Sequence, residues 1–283
     1  MRVLITGAGG QVGQALQSLA PSYGAEIIAL DRQSLDIIDL ATVQSVIKDA
    51  APDVLINAAA YTAVDKAEEE VEAAFATNAM GAENLAIACA SADIPFLHIS
   101  TDFVFDGKKL GAYLEDDAIV PLSIYGKSKA EGEARIAAAA HKYITLRTAW
   151  VFGGEQNFVN TMLRLAKNHQ DLKIVDDQRG GPTAAVDIAN CLFRIAKKVI
   201  QPGFDNWGVY HYCGTPAVTW FGFAQAILAG RENLTLHPIP TEGYPVPAER
   251  PKNSVLDCSK IKRVFDIDQP EWQQALSDIL AKQ

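Results

Sequence analysis

Short apolar runs alternate with longer amphipathic ones through the first half of the chain. Arg2–Thr6 predicts a buried strand and Gln11–Leu19 the start of a helix. Glu26–Leu30 predicts a second strand, closed by Asp31. Asp39 stands as the N-cap of a helix over 40–49, and Pro52 ends that connection. A third strand is expected over 54–59, and 64–92 has helical composition almost throughout. The acidic start of that stretch (Glu68, Glu69, Glu70, Glu72) suits a solvated helix beginning, where the dipole favours negative charge. A fourth strand over 94–100, a helix over 130–140 and a fifth strand over 143–146 follow. Alternation this regular implies parallel pairing through right-handed crossovers, hence an α/β fold with a doubly wound parallel sheet.

After Trp150 the pattern loosens. Helices are expected over 158–167 and Ala185–Val199, strands over 172–175 and 209–212, and a turn at Gly180-Gly181-Pro182. Six of the 13 prolines lie between Pro216 and Pro251, so irregular structure concentrates there. The expected division is a sheet domain over 1–150 and a smaller C-terminal domain over 151–283 that completes a cleft. Some segments of 172–212 are expected to return to the sheet.

Composition narrows the partners. Twenty-five Lys and Arg against 34 Asp and Glu leave a net charge of −9, which argues against nucleic acid or anionic lipid. No apolar run approaches the roughly 20 residues that span a bilayer, and residues 1–7 reach a glycine too soon for a signal peptide. A soluble, cytoplasmic chain is expected. Its four cysteines and five histidines are scattered, without CxxC or HExxH pairs, so free buried thiols and no metal are expected.

Candidate chemistry begins in the first turn. Gly7-Ala8-Gly9-Gly10-Gln11-Val12-Gly13 lies between a strand and a helix. With Val12 in place of a third GxGxxG glycine, the fitting pattern is GxxGxxG on Gly7, Gly10 and Gly13. Such a turn brings backbone N–H groups to a pyrophosphate at a helix N-terminus. Asp31, closing the second strand, suits the hydroxyls of an adenosine ribose, while its neighbour Arg32 suits a 2′-phosphate. NADH and NADPH both stay open.

Tyr125 and Lys129 stand four residues apart, on one face if helical. Tyrosine titrates near ~10 and exchanges protons poorly at neutral pH; a nearby ammonium lowers that value. Ser100-Thr101-Asp102 ends the fourth strand, at the edge where open α/β sheets collect ligands, and the Thr101 hydroxyl can bond the same carbonyl oxygen.

Five segments occur in the order of extended short-chain dehydrogenases: 7–13, 57–65, 100–107, 125–129 and 147–150. Together with Gly181-Pro182-Thr183 and Arg250-Pro251-Lys252-Asn253-Ser254-Val255-Leu256-Asp257, they make the chain resemble the dTDP-4-dehydrorhamnose reductase family over nearly its whole length. The resemblance implies a Rossmann fold and NAD(P)H-dependent reduction of the C4 keto group of dTDP-4-dehydro-L-rhamnose to dTDP-L-rhamnose, for surface polysaccharide. It implies Tyr125 as proton donor, Lys129 on the nicotinamide ribose and Thr101 on the carbonyl. It also places Gly10, Gln11 and Val12 at the pyrophosphate, Asp31, Asp39 and Leu40 toward the adenosine, and Ala60, Tyr61 and Thr62 beside the cofactor. Asp102 and Trp150 match positions that contact the nucleotide sugar. Asp39 is equally well read as a helix N-cap, and Trp150 has a competing reading as a core aromatic.

The chain departs from that family where Tyr is usual and Phe103 stands. It has no acid from Gly10 to Ala20, whereas some relatives bind magnesium between subunits through a glutamate there. A monomer or homodimer is expected. Two rival readings share the motifs: a nucleotide-sugar epimerase or dehydratase, and a cofactor-binding regulatory subunit. Dehydratases tend to follow the threonine with Asp-Glu, and here Asp102 is followed by Phe103. Retention of Tyr125, Lys129 and Thr101 favours an enzyme.

Overall fold

In the computed structural model, which describes residues 1–231 and 233–281, five parallel strands come from the first half of the chain: β1 (Arg2–Thr6), β2 (Glu26–Leu30), β3 (Val54–Asn57), β4 (Phe96–Thr101) and β5 (Tyr143–Thr148). A sixth, Gly208–His211, comes from the second half and pairs with β5 in parallel. The order across the sheet is Gly208–His211, β5, β4, β3, β1, β2. Consecutive crossovers run to opposite sides of β1, so the crevice between β1 and β3 opens at the C-terminal strand ends, where α/β folds bind ligands.

Among the described residues, ten helices accompany the strands: α1 (Gln11–Leu19), α2 (Leu40–Ala50), α3 (Val71–Phe75), α4 (Ala82–Ser91), α5 (Ile124–Ala139), α6 (Phe158–Asn168), α7 (Ala185–Val199), α8 (Trp220–Ile227), α9 (Ser259–Phe265) and α10 (Trp272–Leu280). One sheet face packs Val3, Ile5, Val54 and Ile56 against Leu16 of α1 and Ile188 and Leu192 of α7, with Ile261 of α9 in the same core. The other packs Leu4, Leu55 and Phe96 against Val43 of α2, Leu85 of α4 and Ile136 of α5. Each fully buried aliphatic or aromatic side chain contributes roughly 1.5–3 kcal/mol. A separate core joins α6, α8 and α10 to the parallel pair Asp171–Val175 and Thr235–Ile239. Of the late strands, Gly208–His211 thus joins the central sheet and Asp171–Val175 does not. The four cysteines are free and buried, and no helix among the described residues is long and apolar enough to cross a membrane.

Two segments depart from the sequence expectation. The stretch 64–92 is broken into a 3₁₀ turn (Lys66–Glu68), α3, a π-helical turn (Ala76–Gly81) and α4. Within the π turn the buried Asn78 amide accepts from Tyr61 N–H (2.8 Å) and donates to Tyr61 C=O (3.0 Å) and Ser128 Oγ (2.9 Å). A wider turn lets one side chain bind the loop after β3 and α5 together, and such turns gather at functional sites. Secondly, α5 starts at Ile124, six residues before the expected position. Ser123 Oγ caps it by accepting from Gly126 N–H, and Glu68 Oε1 accepts from Ile124 N–H. Gly132 lets α5 approach the π turn: a Cβ there would stand 2.1 Å from the Asn78 carbonyl oxygen. The early start makes the first turns of α5 the wall of the crevice.

Candidate active site

At the β1–α1 turn, glycine is demanded by contact. Gly7 has φ +76°, and a Cβ on it would lie 2.4 Å from Ala59 N; one on Gly13 would lie 2.3 Å from the Gly7 carbonyl oxygen. These two glycines seat the turn on the residues just after β3 and draw α1 onto it. Gly9 and Gly10 differ. A side chain at Gly9 would meet nothing within 4 Å and one at Gly10 only Gly7 O at 3.4 Å, because both positions face the crevice. Helix α1 begins here with no side-chain cap and no acid in its first turn. Its free N–H groups and dipole suit an anion. The Gln11 side chain reaches across the crevice, where its Oε1 accepts from Gly154 N–H at 2.9 Å.

From this turn the crevice extends both ways. One arm, about 500 Å³, is walled by Asp31, Arg32, Asp36, Ile37, Ile38 and Tyr61. Asp31 is exposed; its Oδ1 accepts from Ser34 Oγ, Ser34 N–H and Gln33 N–H, bonds that hold its carboxyl below the usual range. Asp39 and Leu40, expected toward the adenosine, do not wall this arm. The Asp39 carboxylate caps α2, accepting from Ala41 N–H, Thr42 N–H and Thr42 Oγ1, and Ile37 and Ile38 occupy the wall in their place.

The other arm, about 820 Å³, brings Gly10, Gln11, Val12, Ala60 and Thr62 together with Thr101, Asp102, Tyr125, Lys129 and Trp150. Thr101 Oγ1 donates to Asp102 Oδ1 (2.9 Å) and accepts from Phe103 N–H. Burial raises the Asp102 carboxyl to about 6. Burial likewise pushes the Tyr125 phenol up to about 12, the Asp102 charge adds to the rise, and the Thr101 side chain works against it. The expected lowering of the Tyr125 value by Lys129 is not seen. Lys129 Nζ is engaged elsewhere, donating to Ile99 C=O at 2.7 Å and facing His98 Nε2 at 3.1 Å. Its own pKa is drawn down to about 8 by burial, against the pull of Glu133.

Trp220 and His98 have no signature in the sequence. Trp220, at the start of α8, lines the same arm and stacks on Trp150. His98 and Asn57 lie beneath Lys129, isolated polar residues on strands that otherwise read as buried. Ser100 Oγ and Thr148 Oγ1, at adjoining strand ends, are buried without a partner among the described residues, and both residues line the arm. Their hydroxyls could bond a polar group placed in this arm. The late motif also finds a place: Arg250 forms a two-pronged pair with Asp65 (2.9 and 2.8 Å) and pins the loop after Thr62.

The model of the family described as RmlD substrate binding domain matches residues 1–283. The chain belongs to the RmlD family. A dTDP-4-dehydrorhamnose reductase from Aggregatibacter actinomycetemcomitans is 48% identical to it, over 99% of this chain and 98% of the relative. Among solved structures, a dTDP-4-dehydrorhamnose reductase from Clostridium acetobutylicum superposes with TM-score 0.93 at 39% identity, covering 100% of this chain and 99% of that one. The Bacillus anthracis reductase, solved in complex with NADP, gives TM-score 0.93 at 34% identity, with coverage of 100% and 99%. The match runs through both halves of the chain, well beyond the cofactor motifs.

Proposed function

We propose that this RmlD-family chain reduces the C4 keto group of dTDP-4-dehydro-L-rhamnose with NADPH or NADH, giving dTDP-L-rhamnose for surface polysaccharide. The observation that carries the reading is the convergence of the glycine turn with Thr101, Tyr125 and Lys129 in one crevice. The open face at Gly9 and Gly10 fits a dinucleotide, whose contribution when bound is a hydride for C4. Gly7, Gly10, Gln11, Val12 and Gly13 form its pyrophosphate seat, Asp31 and Arg32 meet the adenosine end, and Ala60, Tyr61 and Thr62 flank it.

Tyr125 O–H donates the proton to the C4 oxygen, and its high pKa keeps it loaded at neutral pH. Thr101 orients the carbonyl, and Lys129 holds the nicotinamide ribose. Asp102 and Trp150 contact the nucleotide sugar. The sheet lobe, including α7, α9 and Gly208–His211, carries the dinucleotide, and the lobe of α6, α8 and α10 closes over the sugar. The chain works in the cytoplasm as a monomer or homodimer. Phe103, in place of the second acid expected of a dehydratase, supports reduction over elimination. The test is cofactor oxidation across a panel of nucleotide 4-keto-6-deoxysugars. Oxidation with the dTDP-linked 4-keto-rhamnose is expected, and a preference for another sugar would overturn the assignment.

A further inference from the structure

Beneath Lys129 runs a closed chain of buried polar groups: Thr6, Asn57, His98 and Lys129, each about 1% exposed. Its donor and acceptor order follows from one unambiguous bond. Ala59 N–H is a donor only, and it lies 2.9 Å from Asn57 Oδ1, which also accepts from Thr6 Oγ1 at 2.8 Å. The Asn57 amide is thereby oriented, and Nδ2 is the atom facing His98 Nδ1 at 2.9 Å. Since Nδ2 only donates, Nδ1 must accept and carries no proton. A neutral imidazole then bears its proton on Nε2, and Nε2 faces Lys129 Nζ at 3.1 Å. An ammonium has no lone pair to accept that N–H; an amine does, while still donating to Ile99 C=O at 2.7 Å.

We infer that His98 is a positioning residue which, oriented by Asn57, holds Lys129 as a neutral amine in alkaline solution, so that docking of a dinucleotide there draws a proton onto Lys129. The surroundings agree. Burial disfavours charge on both His98 and Lys129. The other titratable groups nearby are Tyr125 and Glu133 on α5, Asp102 after β4 and Arg147 on β5. Of these, Glu133 favours the ammonium, and its carboxylate is already bound to Arg147 at 2.7 Å. An ammonium at Lys129 would require the imidazole to exchange tautomer against Asn57 Nδ2, or Nζ to leave His98. Charge on Lys129 is therefore coupled to His98, either through its tautomer or through the contact between Nζ and Nε2.

The proton-uptake half of this inference rests on reading the crevice as a dinucleotide site; the tautomer half does not. Histidine ¹⁵N spectra of the full, cofactor-free chain at about pH 9 should show His98 with its proton on Nε2, and a proton on Nδ1 would overturn the inference. Calorimetry with NADPH in buffers of differing ionisation enthalpy should then show uptake of about one proton at that pH. Uptake should fall severalfold in His98→Gln, whose side-chain oxygen can turn to accept from an ammonium. Binding without uptake in the wild type would also overturn it. If NADPH gives no binding heat, the dinucleotide reading falls, and the spectra still decide the state of His98.

Discussion

Trp150 and Trp220 stack with ring centroids 3.5 Å apart and planes within 6° of parallel. One follows β5 and the other opens α8, so the pair bridges the two lobes across the crevice. Trp150 holds φ +49°, a region where a bulky side chain costs on the order of 1–3 kcal/mol. Surrounding structure must hold it there, and the flat apolar ring suits a sugar face or base. Trp150→Phe is expected to raise KM for the nucleotide sugar by about tenfold, or ~1.4 kcal/mol, with Tm and dinucleotide affinity unchanged. A stability loss without a selective change in KM would make Trp150 a core residue instead.

Tyr125→Phe should lower kcat by ~10²–10⁴-fold while sparing dinucleotide affinity. The phenol packs edge-on against Phe103, 5.4 Å between centroids, so removing the hydroxyl leaves that contact intact. Single-turnover kinetics at saturating cofactor make the comparison, and near-native turnover would exclude Tyr125 as the donor.

Dinucleotide affinity should depend on pH through Lys129. Its pKa is depressed to about 8, and docking favours the charged form. Below that value the proton is already present and Kd should be flat. Above it a proton must be taken up, and Kd should rise by up to about tenfold per pH unit. Lys129→Met should bind more weakly, turn over more slowly and lose this slope. A flat Kd between about pH 7 and 10 would contradict the coupling.

Cofactor choice should respond to the exposed pair closing β2. Asp31 repels a 2′-phosphate and Arg32 attracts it, so both dinucleotides should be accepted. Asp31→Ala should shift the ratio of kcat/KM values toward NADPH, and Arg32→Ala toward NADH. If neither substitution moves the ratio, these side chains do not meet the ribose.

Glu133→Gln tests the deepest ion pair. Arg147 is 1% exposed and grips Glu133 through Nε (3.0 Å) and Nη2 (2.7 Å), while Nη1 donates to Glu115 C=O. Removing the carboxylate charge leaves the guanidinium buried and uncompensated, a loss of about 3–5 kcal/mol. Chemical denaturation reads this directly, and a change within about 1 kcal/mol would show that water reaches Arg147 in the variant.

Local pattern was enough wherever the signal was itself local. The alternation of runs places β1, α1, β2 and α7 with their observed bounds, and the Gly7–Gly13 spacing marks the turn that contact with Ala59 demands. The start of α5 is not local, because Ser123 and the distant Glu68 together supply its cap. The π turn depends on Asn78 finding both Tyr61 and Ser128, partners far along the chain. His98 and Trp220 carry no motif; only the strand order and the closing of α8 over the crevice reveal what each one touches.

The pairing of Gly208–His211 with β5 has a consequence for synthesis on the ribosome. When residue 150 emerges, the sheet still lacks its sixth strand, Arg147 lacks the His211 ring that stands 3.3 Å from its Nη1, and α1 has no α7 to cover it. A fragment ending there would expose a wide apolar face and a buried-type cation at once. The chain up to residue 150 is therefore no detachable module: its sheet is completed only after the chain has left it, built much of the other lobe, and come back.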